Sequence, residues 1–112
     1  PELFWKVGGF AEDYYYWHEA VICSRLKKDG YKVMLHPESK VIHYEGQGSG
    51  SRRSYAVQKF HIVDFHGGAY RAYRYHHELG KFHPAGIFVG LLLGTRALLL
   101  LTAARIKTLL QK

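Results

Sequence analysis

The side chains able to do chemistry in this chain are eight histidines, nine acids and one cysteine, and their spacing is the first question. His76 and His77 are adjacent, and on a helix neighbouring side chains point about 100° apart, so one ion does not readily engage both. His18 and Glu19 share that difficulty. There is no His-Glu-x-x-His, no cysteine pair and no Asp-x-Asp, so spacing alone spells out neither a metal site nor a disulfide. The histidines between 61 and 83 read as the wet face of a basic segment. His43 stands apart because it ends a β-branched run and precedes a Gly/Ser-rich loop, a place where sites are often built, although a lone strand-end histidine is more often structural. Gly8-Gly9 frees φ, so the backbone there can approach a ligand or simply end a short apolar turn. Glu19 heads an apolar-periodic stretch, where an acid also suits the positive end of a helix. Arg71, Tyr73, Arg74, Tyr75 and His76 interleave cations with rings. Such a mixture stacks bases and neutralises phosphates, sits among lipid headgroups, or covers aromatic packing on a solvated helix.

At 112 residues there is room for one small domain. Apolar residues make up 47% and charged residues 22%, which excludes a disordered tail or a charge-only linker. The net charge of +7 raises nucleic acid, an anionic membrane surface and a phosphate-bearing substrate as partners. Its distribution narrows the choice. Residues 1–48 carry six Lys/Arg and seven acids, whereas residues 49–112 carry ten Lys/Arg and only Asp64 and Glu78. The front half is a balanced globular piece and the rear half meets anions. The single cysteine fits a reducing compartment. The opening Pro1-Glu2-Leu3-Phe4, with no Met and no signal peptide, reads as part of a longer polypeptide.

The elements that must position these residues follow from periodicity. Trp17, Val21, Ile22 and Leu26 predict a helix over about 17–28, closed by Lys27, Lys28 and Gly30. Tyr31–Leu35 and Lys40–Tyr44 predict two short strands, with Pro37 ending the first. Residues 45–53 are a Gly/Ser-rich loop. Residues 54–79 lack proline and place Tyr70, Tyr73 and His77 on one face of a long helix, with Gly67-Gly68 as a candidate kink. Ala85–Ala104 is a twenty-residue apolar stretch whose one charge is Arg96. It is long enough to cross a bilayer, but a central arginine is costly there. Three readings stand: a membrane-surface or re-entrant helix, a true span, or a helix buried against other protein. Arg105, Lys107 and Lys112 suit a negatively charged inner leaflet.

One ordered block goes further. Val-Gly-Gly-Phe-Ala-Glu-Asp at 7–13 leads into Tyr-Tyr-Tyr-Trp-His-Glu-Ala at 14–20, a helix containing Arg25, and Gly-Tyr-Lys-Val at 30–33. His-Pro-Glu-Ser-Lys-Val-Ile-His at 36–43 and a Gly/Ser loop follow. From about Leu3 to Ser51, and more loosely to His77, this resembles the C-terminal part of a family 2, GT-A-type glycosyltransferase. The resemblance implies Glu19 as the catalytic base, Gly8, Gly9 and Phe10 as the loop shaping the acceptor side, His43 as a metal and diphosphate ligand, and Arg25 as a structural ion-pair residue. The sequence departs from the pattern at Ala20, where the acidic pair's Asp is missing, and at Ala11, which replaces the loop's usual Asp. Glu19 then acts alone, or catalysis is impaired, or the copy has diverged. The family's nucleotide-binding half and its Asp-x-Asp do not occur in these residues.

The resulting expectation is an α+β fragment of an α/β GT-A (Rossmann-like) fold: an amphipathic helix, two short strands completing a sheet begun elsewhere, and long C-terminal helices. Residues 1–50 form the acceptor-side part, 51–83 a basic aromatic helical segment and 84–112 an apolar membrane-associated helix. The function implied is transfer of a sugar from a nucleotide-sugar donor to a glycan or lipid hydroxyl. A Mg or Mn ion is expected in the longer parent, and no cofactor and no turnover in this piece alone. The parent would sit in the cytoplasm at the inner face of a membrane. The rival is a small basic adaptor that binds nucleic acid or anionic membrane through Arg52–His77 and the last helix. A third reading is self-association through the exposed apolar helix.

Overall fold

A computed structural model describes residues 2–42 and 54–110 and contains four helices. They are α1 (Glu2–Lys6), α2 (His18–Lys28), α3 (Tyr55–His76) and α4 (Pro84–Leu110). Among the described residues there is no strand, which overturns the α+β, Rossmann-like expectation. The physical reason lies in the segment after α2. A strand is stable only when its N–H and C=O groups find a partner ladder. Val33, Met34, Leu35, Val41 and Ile42 instead stand exposed on an irregular run broken by a turn, Ser39 N–H to His36 O at 3.1 Å. The β-branched pattern is present, and no neighbouring backbone pairs with it. His43 and Tyr44, the end of the second expected strand, lie outside the described residues.

The helices follow their sequence signals closely. At the end of α2, Gly30 takes φ +83°, Tyr31 N–H donates to Leu26 O and Gly30 N–H to Lys27 O, a paired closure that satisfies the last carbonyls. α3 starts at Ser54, whose hydroxyl accepts from Val57 N–H, and runs through Gly67-Gly68 without a break. It ends with the same double closure as α2, Leu79 N–H to Arg74 O and Glu78 N–H to Tyr75 O, although the left-handed residue is Glu78 at φ 54°. Lys28 Nζ holds that corner, 3.0 Å from the Glu78 carboxylate and 2.9 Å from Tyr75 O. α4 opens at Pro84, whose missing N–H costs nothing in a first turn.

α3 and α4 form an antiparallel hairpin, and α2 lies against α3. Contacts run the length of the hairpin, from Arg105 over the Tyr55 ring (5.1 Å) through Gly90 beneath Tyr70 to Gly86 beside Arg74 and Leu79. The covered stripe on α4 is Gly86, Gly90, Leu93, Ala97, Leu101 and Ala104, spaced by threes and fours, with small residues where the helices approach. A compact core gathers Ala11, Val21 and Ala72, with Tyr14 and Trp17 packed against it.

Trp17 keys the front of the chain to α3. It takes φ 70° just before α2, a conformation that costs a non-glycine residue about 1 kcal/mol or more. Its indole N–H donates to Phe65 O at 2.9 Å, and its ring sits on the Phe65 ring and over Gly68. A methyl group at Gly68 would come within 3.1 Å of Trp17 Cδ1, whereas one at Gly67 meets only the Arg71 guanidinium at 3.5 Å. Gly67→Ala is therefore expected to stabilise α3 by up to about 1 kcal/mol through helix propensity. Gly68→Ala loses that gain and destabilises, because the pinned indole cannot retreat. Denaturant unfolding followed by helical circular dichroism in detergent orders the two variants on either side of the parent chain.

Candidate functional site

The turn after α1 is built by two left-handed glycines, Gly8 at φ 83° and Gly9 at φ 59°. Gly8 N–H donates to Trp5 O and Gly9 N–H to Phe4 O, so the chain doubles back over its own first helix. Arg25 locks this turn to α2: its Nη1 donates to Gly8 O and Gly9 O, both at 3.1 Å, and reaches Val7 O at 3.4 Å. Among the described residues the guanidinium thus holds backbone carbonyls and no carboxylate, in place of the ion pair expected for Arg25.

Locking the turn has a consequence for the residues named from the sequence. Phe10 is carried against the His18 ring (4.9 Å between centroids), and Phe4 packs edge-on to both Phe10 and Trp5. His18 Nε2 lies 3.0 Å from a Glu19 carboxylate oxygen in the first turn of α2. Phe10 therefore stands beside the head of α2, whereas the Gly8-Gly9 turn is held by Arg25 from the last turn of the same helix. The Glu19 side chain is 72% exposed, and its partner His18 packs against the exposed Phe10 ring. A carboxylate at such a place can accept a proton, and exposed rings beside it can cover the apolar face of a bound ring.

Arg25 makes a second test of this geometry. Arg25→Ala removes charge-assisted hydrogen bonds to two carbonyls, expected to destabilise by about 2 kcal/mol given their partial exposure. The Gly9 amide, which donates to Phe4 O, should then lose protection in hydrogen exchange. Arg25→Lys should restore little of it, because a single ammonium does not reproduce the planar donor.

His43 lies outside the described residues. No group of three His, Cys, Asp or Glu side chains that could hold a metal ion gathers among the described residues. Two arginines of the basic aromatic helix engage the protein itself, although Arg71 stays exposed. Arg71 donates to Asp13 O over the Tyr14 ring, and Arg74 donates to Leu79 O and stacks near Tyr70. These arginines bind the protein's own backbone and rings.

Sequence reasoning missed the partner of Arg96. His66, only 5% exposed, places Nδ1 2.7 Å from Ile62 O and Nε2 2.6 Å from Arg96 Nη1. The first contact requires Nδ1–H, which leaves Nε2 as the acceptor for the guanidinium. The costly charge of the apolar helix is thus tied across the hairpin. The signal that both sit mid-helix at matching depth is visible only once α3 and α4 are antiparallel.

α4 has the length and apolarity of a membrane anchor: 27 residues with a mean hydropathy of 2.0 in its most apolar window, of which 6% is buried. Phe88, Leu91, Leu92, Leu98 and Leu99 stand exposed along its outer side. Comparison with protein-family models, curated proteins and solved structures finds no match to this chain.

Proposed function

We propose that this chain supplies the acceptor side of a glycosyltransferase working at a membrane surface. The observation that supports it most is that Phe10, at the end of the Gly8-Gly9 turn clamped by Arg25, packs on His18, whose ring meets the Glu19 carboxylate at the head of α2. The turn and Glu19 are among the segments on which the resemblance to family 2 glycosyltransferases rests. Glu19 takes the proton of the acceptor hydroxyl, and Phe10 with Trp5 borders the acceptor ring. Neutralising the departing diphosphate falls to the donor half of the longer enzyme.

The hairpin gives the site its membrane. α3 runs beside α4 over most of its length and carries Asp64, Arg71 and Arg74, so a perpendicular span would draw these groups into hydrocarbon. Lying flat, α4 presents Phe88, Leu91, Leu92, Leu98 and Leu99 to the acyl region while His66 of α3 holds the Arg96 guanidinium. Arg105 and Lys107 then meet anionic headgroups, which fits a cytoplasmic leaflet. The rival nucleic-acid reading finds less support, because Arg71 and Arg74 are engaged within the protein.

The test is glycosyl transfer by the longer polypeptide that this reading requires, measured with Glu19 and with Glu19→Gln, beside the 112-residue chain alone. Loss of turnover in the variant and none in the isolated chain are expected. Unchanged turnover without Glu19, or transfer by the isolated chain, would sink the proposal.

A further inference from the structure

α2, α3 and α4 do not close on one another completely. Between them lies a cleft of about 450 Å³, within the range of small-ligand sites. Its α2 wall is the stripe Ala20, Cys23, Ser24 and Lys27, spaced as one helical face and distinct from exposed Glu19. Its floor is Ala69 and Ala72 of α3, and its outer wall is Val89 and Leu93 of α4. Most of the lining is apolar, and the α4 wall continues directly into the exposed Phe88 and Leu92 of the proposed lipid-facing side.

The polar groups collect on one side. Ser24 Oγ donates to Ala20 O at 2.9 Å, so its single hydroxyl proton is committed. The contact of 2.9 Å to His76 Nδ1 then runs from the imidazole N–H to the serine oxygen. That arrangement removes Ser24 as a nucleophile and fixes the His76 ring at the rim of the cleft. Lys27 and His77 also line it, and among the described residues no acid does. An apolar slot that opens toward a lipid-facing helix, with a lysine and two histidines and no carboxylate, is complementary to one kind of molecule.

We propose that this cleft takes one acyl chain of an anionic membrane lipid, with its phosphate at Lys27, His76 and His77. The chain occupies the small-residue floor at Ala69 and Ala72, and the phosphate replaces water around Lys27. This goes beyond the acceptor-side reading, since no residue of the cleft belongs to the Gly8–Phe10 and Glu19 patch. A captured lipid would bridge α2 to the hairpin and fix the patch at a set height above the bilayer.

Trp17 lines the cleft and reports on it, while Trp5 lies at the other patch and is removed as Trp5→Phe. The Trp5→Phe chain is reconstituted in phosphatidylcholine nanodiscs doped with phosphatidylglycerol brominated on its acyl chain, and Trp17 fluorescence is followed. Saturable quenching at low mole fraction is expected, with the same brominated chain on phosphatidylcholine far less effective. Lys27→Glu, an exposed position that leaves the fold intact, should raise the half-quenching fraction about tenfold, and Ala69→Phe should abolish saturation by filling the floor. Quenching that rises linearly and equally in the parent, Lys27→Glu and Ala69→Phe chains overturns the proposal, as does its absence. Glu19→Gln should leave the quenching curve unchanged, so failure of the acceptor-side reading and failure of lipid capture are told apart.

Discussion

If the proposed acceptor-side role holds, Glu19→Gln is expected to lower glycosyl transfer by the longer polypeptide about 10²–10⁴-fold, the usual contribution of a positioned general base. That corresponds to roughly 3–5 kcal/mol of barrier. Glutamine keeps the size of the side chain and can still meet the His18 imidazole, but its amide does not take a proton from an acceptor hydroxyl. The rings of Phe4, Phe10 and Trp5 are untouched, so KM for the acceptor should change little while kcat falls. A purely structural Glu19 gives the opposite signature. An exposed acid in the first turn of α2 stabilises the helix end by roughly 0.3–1 kcal/mol and has no direct effect on the chemical step. Thermal unfolding of the variant beside its kcat separates the two roles. A lowered melting temperature with intact kcat would leave Glu19 as a helix-capping charge and nothing more.

The second large effect belongs to the pair that crosses the hairpin. Arg96→Leu leaves buried His66 Nε2 without its donor, a loss expected to cost about 1–3 kcal/mol. His66→Leu removes the acceptor of an exposed guanidinium, which solvent can replace, so its cost is expected to be smaller. The double variant leaves no buried imidazole without a donor and should be less destabilised than Arg96→Leu alone. The resulting coupling, about 1–3 kcal/mol, is read from a double-mutant cycle of denaturant unfolding in detergent. Additive single costs would mean that the two side chains touch without holding the hairpin.

Much of this protein was legible in its residues. Ser54, Gly30 and Pro84 mark helix boundaries because each satisfies or omits a backbone group in a local way, and the three long helices begin or end at them. Ala85–Ala104 reads as apolar and long enough to cross a bilayer from composition alone, and α4 contains it. Local hydrogen bonds and side-chain period determine such features, and both are written in consecutive residues.

Strand pairing is another matter. Tyr31–Leu35 and Lys40–Ile42 carry the β-branched, alternating pattern of strands and form none, because a ladder needs a partner backbone that the pattern does not specify. The same limit governs the contacts that matter most. Arg25 was legible as a structural residue, but its hold on the Gly8 and Gly9 carbonyls appears only when α2 lies over the turn. Arg96 looked like an isolated cost until the antiparallel hairpin brought His66 beside it across thirty residues of chain. Sequence by itself determined where helices start and stop, and that the last of them is apolar. Tertiary structure alone decided which polar groups meet, since a hydrogen bond over a few ångströms depends on how whole helices pack.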